Sequence, residues 1–449
     1  MIGIRGNLLN WFEDYLKDRQ QATVIKGKIS SYKTVFSGVP QGSVLGPLLF
    51  LVYINDIVKD IESQVKLFAD DTSMYLRLND GVRRAEILNS DIKKILTWSR
   101  IWKVNFNPSK TELLTLSNQR QPDVYPLSFD NDILSETTSH KHLGVILQND
   151  CKWNSHIESI VAKIRPLIAC LRSYKYIFSR KTLEILYKSY ILPHLDYSDV
   201  VWDNCPAVLS NELENTHLEA LRIITGSVCG TSHEKLYRES GFITLKARRD
   251  RHKLLMFFKL INGHLPNYLS AYIPPLVSDI NPYHRRRPFE RQVPVSRTEL
   301  YRHSFFPSTT VLWNNLPDEI KLLNSISSFK RNLNADDPHV PPHFYCGTRK
   351  PQTIHCKLRL NMSDLNNDLH LRHISESRSC DCGHAQEDAC HFLLNCSKYN
   401  DARATTINIL PPVATDITTL LSGCQSFSTQ FNYYIFLTVQ EFISNSKRF

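Results

Sequence analysis

Apolar residues along the first third of the chain recur with helical and strand periods in turn. Between residues 7 and 18, Leu8, Leu9, Phe12, Tyr15 and Leu16 share one face at helical spacing, with Asn7 placed as a cap. Gln21 to Ile25 and Tyr32 to Phe36 are rich in β-branched and aromatic residues around Lys26-Gly27-Lys28, and predict a strand pair. Beyond a turn at Gly38 to Pro47, the run Leu48, Leu49, Phe50, Leu51, Tyr53 and Ile54 predicts a buried helix ending near Asp60. A hairpin is predicted over 64–76, then a long helix that buries Leu88, Ile92, Ile95, Leu96, Ser99 and Trp102. Asn105 to Glu112 predicts a turn into a strand at 113–116, and His142 to Leu147 predicts a further strand. The order α, β, β, α, β-hairpin, α, β, β is that of an α+β module with an antiparallel sheet.

From about Trp153 to Gly226 the pattern is helical. Ile157, Val161, Ile164, Ile168 and Leu171 form one stripe, with Pro166 as a break or kink, and Leu183, Leu186 and Tyr190 belong to the next. Residues 230–330 are mixed, and the polar, proline-containing stretch 334–342 predicts a boundary. The longest apolar run, Val44 to Ile54, is too short to span a bilayer and contains Gly46 and Pro47. Eleven cysteines, an odd number and mostly scattered, argue against a secreted disulfide framework. These features predict an intracellular protein, neither secreted nor inserted in a membrane, with nucleus or cytoplasm left open.

Composition then narrows the partner. At 449 residues, 42% hydrophobic and 22% charged, the chain has material for several domains. Its formal net charge of +10 favours a polyanion. Lys163, Arg165, Arg172, Lys175, Arg180, Lys181 and Lys188 cluster in the helical region and read equally as a solvated face or a nucleic-acid surface. The runs Arg248 to Lys253 and His284 to Arg287 read as surface charge that keeps the chain soluble.

Three stretches carry candidate chemistry. Asp70-Asp71 at a hairpin tip fits ordinary turn chemistry first; the surroundings have to argue for the other reading, a divalent-metal site that holds phosphate, where a cation relieves the repulsion between adjacent carboxylates. Gly38-Val39-Pro40-Gln41-Gly42 gives a rigid turn whose backbone a ligand can approach closely. Cys380, Cys382, His391 and Cys396 form C-x-C-x8-H-x4-C, a donor set suited to tetrahedral Zn²⁺, with Cys390 or His384 as substitutes. Cysteines one residue apart seldom bridge each other, which weakens a disulfide reading.

Taken together, Gly38 to Pro47, then Tyr53-Ile54-Asn55-Asp56, then Phe68-Ala69-Asp70-Asp71 resemble the reverse transcriptases of non-LTR retrotransposons, most of all the jockey-type and related LINE enzymes. Asn107-Pro108-Ser109-Lys110-Thr111-Glu112 and His142-Leu143-Gly144-Val145 match motifs that follow in that family. Leu195-Asp196-Tyr197, Arg222 to Gly226, Ser304 to Thr309 and Trp313 to Pro317 resemble stretches beyond its polymerase domain. The resemblance implies a palm fragment over 1–147, a helical thumb over 148–226, a connection region over 227–335 and a C-terminal region over 336–449 with a zinc knuckle. It implies that Asp70 and Asp71 bind Mg²⁺, with Phe68 and Ala69 setting them on the hairpin. Pro40, Gln41 and Gly42 would border the incoming nucleotide and template, and Lys110 would approach the nucleotide's phosphates. Leu143, Gly144 and Val145 would grip the primer. The partners implied are an RNA template, a DNA primer and dNTPs. In the family a further aspartate, on a strand upstream of the first helix, completes the metal site. The sequence begins where that strand should already have ended, so the expectation is a truncated polymerase with little or no activity on its own. The alternative is a non-catalytic remnant that binds nucleic acid.

Overall fold

The computed structural model describes residues 3–77, 80–117, 125–130, 132–280 and 288–449. It divides into two compact units, Met1–His140 with Gln148–Cys151, and Lys141–Leu147 with Lys152–Phe449.

In the first unit, α1 (Asn7–Leu16) begins after Gly6 rather than at an Asn7 cap, and none of its residues is buried. β1 (Gln20–Gln21) pairs antiparallel with β4 (Lys33–Thr34), and β2 (Val24–Ile25) with β3 (Lys28–Ile29), so the predicted strand pair forms as a narrow ribbon. Lys26 and Gly27 both have positive φ, as a two-residue hairpin turn requires. α2 (Leu45–Ile54) passes into a 3₁₀ turn at Asn55–Val58. Gly46 and Ile54 are its buried residues, while Leu48 is 55% exposed and Leu51 and Tyr53 are exposed as well, so the helix expected to be buried is buried on one side only. β5 (Gln64–Phe68) and β6 (Asp71–Tyr75) form the predicted hairpin, in register from Gln64 opposite Tyr75 to Phe68 opposite Asp71.

α3 (Gly81–Trp102) is capped by Asp80, whose side chain accepts from the Arg83 amide. Its buried face holds Asp91, Ile92, Ile95, Trp98 and Ser99. Trp98 takes the place predicted for Trp102, which sits in the last turn and is 41% exposed. Ile54, Ile57, Ile95 and Trp98, with partly buried Leu67 and Met74, form the apolar cluster against which the β5–β6 hairpin packs. β7 (Ser128–Phe129) pairs with β8 (Asp132–Ile133).

Two predicted strands need correction. The strand at 113–116 is reduced to a single bridge between Leu113 and Glu136. The strand predicted over 142–147 is the middle of a hairpin, β9 (Ser139–His142) against β10 (Val145–Gln148). Leu143 (φ +45°) and Gly144 (φ +85°) reverse the chain there, which extended backbone cannot do. Helices with short antiparallel ladders fit the α+β class. The described strands form separate two-stranded ladders rather than one sheet.

The second unit is helical. α4 (Asn154–Ser173) runs through Pro166 and packs on α8 (Ala207–Thr225). Between them lie α5 (Arg180–Leu186), a π-helical turn at Tyr187–Ile191, α6 (Leu192–Asp196) and α7 (Asp199–Trp202). The π turn shifts the helical register, so Tyr187 and Ile191 are buried and the predicted Tyr190 faces outward. α9 (His233–Ser240) and α10 (Leu245–Ile261) follow. Three apolar clusters succeed one another along the unit. They centre on α4 and α8, on Phe257, Phe258, Trp313 and Phe329, and on Phe392, Phe436 and Phe442.

The run Arg248 to Lys253 is not a solvated surface. Arg249 and Lys253 are buried and bind the Asp203 carboxylate at 2.6 and 2.5 Å. The run 284–287 lies outside the described residues. Among the described residues, no helix is long and apolar enough to cross a membrane.

Candidate functional site

The β5–β6 hairpin closes through Ala69 and Asp70, with Ala69 in the left-handed region (φ +52°). Asp71 is the first residue of β6, paired with Phe68. The two adjacent carboxylates, Phe68 and Ala69 are all exposed at the tip. Paired carboxylate oxygens suit a hard cation such as Mg²⁺, which takes a few protein oxygens and keeps waters or phosphate oxygens for the rest. Two groups of three or more close metal donors occur among the described residues, and neither includes Asp70 or Asp71. Asp56 accepts from the Trp98 indole at 2.9 Å.

The turn before α2 is built from its own polar groups. The Ser43 hydroxyl donates to the Pro40 carbonyl at 2.7 Å and accepts from the Gly46 amide at 3.0 Å. Arg19 donates to the carbonyls of Ser37 and Gly38, at 3.1 and 2.5 Å, and pins the turn from the other side. Gly38 and Gly42 both have φ +79°. Pro40 is half-buried, and Gln41 and Gly42 are exposed. Lys110 ends the 3₁₀ turn Pro108–Lys110, which Asn107 caps by accepting from the Ser109 amide and hydroxyl, and its side chain is exposed.

In the second unit, the Tyr197 hydroxyl donates to the Leu143 carbonyl at 2.7 Å, and a Cβ on Gly144 would lie 3.0 Å from the Tyr197 ring. Val145 is buried. Tyr197 thus buttresses the turn Leu143-Gly144. The sequence singled out Leu195-Asp196-Tyr197 but gave it no role, because its partner lies 54 residues earlier.

Cys380, Cys382, His391 and Cys396 come together, each with a ligand atom within 4.8 Å of the others. The chain reverses at Gly383 (φ +92°), where the Gly383 amide donates to the Cys380 carbonyl. His391 and Cys396 sit at the two ends of a π turn closed by the Cys396 amide on the His391 carbonyl. That five-residue bond brings their side chains to the same side. The Cys380 and Cys396 sulfurs are 3.7 Å apart, and the Cys382 sulfur is 3.3 Å from His391 Nε2. Burial pushes the Cys380 thiol up to about 12, against a backbone hydrogen bond at Cys382 that lowers it and with the Cys382 and Cys396 thiols adding to the rise. Cys382 is held below the ordinary thiol value, chiefly by a backbone hydrogen bond at His384. His391 Nδ1 is buried without a partner, and the His384 ring stacks on the His391 ring at 4.1 Å. Three sulfurs and an imidazole at this spacing fit Zn²⁺. The Cys390 sulfur instead lies beside the Asn395 amide, 4.0 Å away.

A second donor group, Asp196, Asp199 and His252, was not foreseen. Arg248 grips Asp196 with two bonds of 2.5 and 2.6 Å, and His252 Nδ1 lies 2.6 Å from Asp199. Both carboxylates therefore already have partners, and the group works as an ion-pair network joining α6 and α7 to α10. The basic cluster on α4 and α5 is partly neutralised as well. Arg165 pairs with Glu212, Arg172 with Glu219, Lys188 with Glu184, and buried Arg180 with Glu239.

Residues 2–147 match the family described as reverse transcriptase (RNA-dependent DNA polymerase). The chain is 26% identical over 308 residues to the probable RNA-directed DNA polymerase from transposon X-element of Drosophila melanogaster, covering 65% of this chain and 32% of that protein. It is 26% identical over 228 residues to the RNA-directed DNA polymerase from mobile element jockey of the same species, covering 48% of this chain and 25% of that one. A Pol polyprotein from the type-1 retrotransposable element R1 of Bradysia coprophila is 23% identical over 389 residues, 83% of this chain and 35% of that one. The likeness to the reverse transcriptase family thus lies over residues 2–147. These relatives are named as RNA-directed DNA polymerases or a Pol polyprotein of transposons and other mobile elements. The chain spans 32% of the length of the X-element relative and 25% of the jockey relative.

Proposed function

We propose that this chain serves RNA-directed DNA synthesis in a non-LTR retrotransposon polymerase, extending a DNA primer on an RNA template with dNTPs. The observation that supports it most directly is the exposed Asp70-Asp71 pair at a hairpin tip inside the segment that matches the reverse transcriptase family. On this reading the first unit is palm and α4 to α8 are thumb. Asp70 and Asp71 hold Mg²⁺, which when bound neutralises triphosphate charge and activates the primer's 3′ hydroxyl. Phe68 and Ala69 set the carboxylates at the tip. Pro40, Gln41 and Gly42 offer backbone to the nucleotide and template, and Lys110 carries a positive charge toward the nucleotide's phosphates. Leu143, Gly144 and Val145 hold the primer end, steadied by Tyr197. Cys380, Cys382, His391 and Cys396 bind a structural Zn²⁺ that rigidifies a nucleic-acid-binding end of the chain.

Primer extension on an RNA template with Mg²⁺ tests the assignment. Because no third donor joins the two carboxylates of the tip among the described residues, synthesis by this chain alone is expected to be slow and to vanish in Asp70→Ala. Synthesis that survives Asp70→Ala and Asp71→Ala overturns the assignment.

A further inference from the structure

The β5–β6 ladder pairs with no third strand among the described residues, and an isolated two-stranded hairpin is marginally stable in water. Its packed side and its root both hold the tip in place. The packed side is apolar, through Leu67 and Met74 against Ile54, Ile57, Ile95 and Trp98. Such contacts resist separation but allow sliding and pivoting, since they are not directional.

The root is held differently. Asp91, on the buried face of α3, has no exposed surface. One of its oxygens accepts from the amides of Glu62 and Ser63, at 3.1 and 2.7 Å, immediately before β5 begins. Its other oxygen accepts from the Lys94 ammonium at 3.0 Å, and Lys94 also donates to the Asp60 carbonyl at 2.7 Å. One carboxylate and one ammonium therefore fasten residues 60–63 to α3. Burial pushes the Asp91 carboxyl up, but the Ser63 amide, Lys94 and the Glu62 amide together bring it below the usual carboxylate value. A buried charge that costs this much to desolvate is out of place on an apolar helix stripe unless its bonds are needed.

We infer that Asp91, with Lys94, is a positioning residue that sets the orientation of the Asp70-Asp71 carboxylates by clamping the root of their hairpin to α3. Five strand residues at about 3.3 Å each put the tip roughly 17 Å from the root. A pivot of about 5° at the root would then move the carboxylates by roughly 1.5 Å, and a displacement of about 1 Å can cost a reaction on the order of a hundredfold. Apolar packing alone does not hold a lever to that tolerance, whereas directional hydrogen bonds at its root do. The inference rests on the reading of Asp70-Asp71 as a metal-binding pair only for its functional consequence. The clamp itself is a statement about the hairpin.

The test uses the full chain as wild type, Asp91→Ala, Asp91→Asn and Asp70→Ala. Hydrogen exchange followed over Gln64–Tyr75, with α3 and α4 as internal references, reads the clamp. Mn²⁺ binding by electron paramagnetic resonance reads the carboxylates. Asp91→Ala should speed hairpin exchange at least about tenfold while α3 and α4 keep their protection, and should weaken the Asp70-dependent Mn²⁺ site about tenfold. Asp91→Asn, which keeps an acceptor for the two amides, should restore most of both. Unchanged hairpin exchange in Asp91→Ala overturns the clamp, and so does loss of α3 protection in step with the hairpin. Unchanged Mn²⁺ affinity in Asp91→Ala, with a wild-type site abolished by Asp70→Ala, overturns the positioning role. Wild-type protein with no Asp70-dependent Mn²⁺ site overturns the metal reading instead, and the exchange result still decides the clamp.

Discussion

At Cys380, Cys382, His391 and Cys396 three thiols and an imidazole crowd within 4.8 Å, with Cys380 and Cys396 buried in the C-terminal apolar cluster. Metal-free, these groups gain little from one another; bound to Zn²⁺, they become a cross-link. Protein prepared without chelator is expected to carry about one zinc per chain, and Cys396→Ser to carry much less. Removing the metal should cost several kcal/mol of stability, less than the about 10–16 kcal/mol apparent for structural zinc in small peptides, as read by urea unfolding with and without chelator. This site was legible in the sequence because its ligands lie within 17 consecutive residues and their spacing is itself the chemistry. Asp91 was not. A carboxylate beside Ile92 on an apolar stripe was the available signal, but its partners at Glu62 and Ser63 lie 29 and 28 residues away.

Among the elements, the hairpins decide where functional groups stand. The β5–β6 hairpin was legible because two strand-like runs flank a short polar break. Its register was not, and it places Asp71 on β6 rather than in the turn. The β9–β10 turn was missed because Leu143 looks like a strand residue, and only its positive φ and the Tyr197 hydroxyl reveal the reversal. Gly144 has φ +85°, and a Cβ there would press on the Tyr197 ring. Gly144→Ala should therefore destabilise the second unit by about 1–2 kcal/mol. Tyr197→Phe, which removes only the hydrogen bond to Leu143, should cost about 1 kcal/mol. Thermal or urea unfolding checks both, and a larger loss for Tyr197→Phe than for Gly144→Ala would contradict this account of the turn.

Across the molecule, the second unit is tied together by buried ion pairs between distant segments. Glu239, on α9, binds Arg180 of α5 and Arg359 of the helix Arg349–Leu360 at 2.7 to 2.8 Å. Burial opposes its charge, but the two guanidiniums hold its carboxyl down to about 2. Buried His217 is pushed from 6.5 down to about 4, chiefly by desolvation. Both values lie below those of the unfolded chain, so each group contributes stability at neutral pH that is lost on acidification. His217 loses its share as pH falls from 6.5 toward 4, roughly 3 kcal/mol, and Glu239 loses its share from about 4.5 toward 2. Urea unfolding between pH 7 and 4 should show that decline, and replacing His217 should flatten it. Glu239→Ala should cost about 3–5 kcal/mol at pH 7, since it leaves two buried guanidiniums unpaired. Arg349 ties the helix Arg349–Leu360 down without a carboxylate, donating to the carbonyls of Lys175 and Ile223 near the ends of α4 and α8. The sequence by itself determined the helical stretch over 153–226, the carboxylate hairpin, the glycine-proline turn and the cysteine-histidine spacing, because each is written in residues close along the chain. The helices after 226 came from the structure. Only the tertiary structure decided that Arg180, Arg249 and Lys253 are interior ion pairs, that Tyr197 supports the Leu143 turn, and that Asp91 holds the root of the Asp70-Asp71 hairpin. Those contacts join residues 28 to 59 positions apart, and the free energy of burying a charge depends on a partner that local pattern does not name.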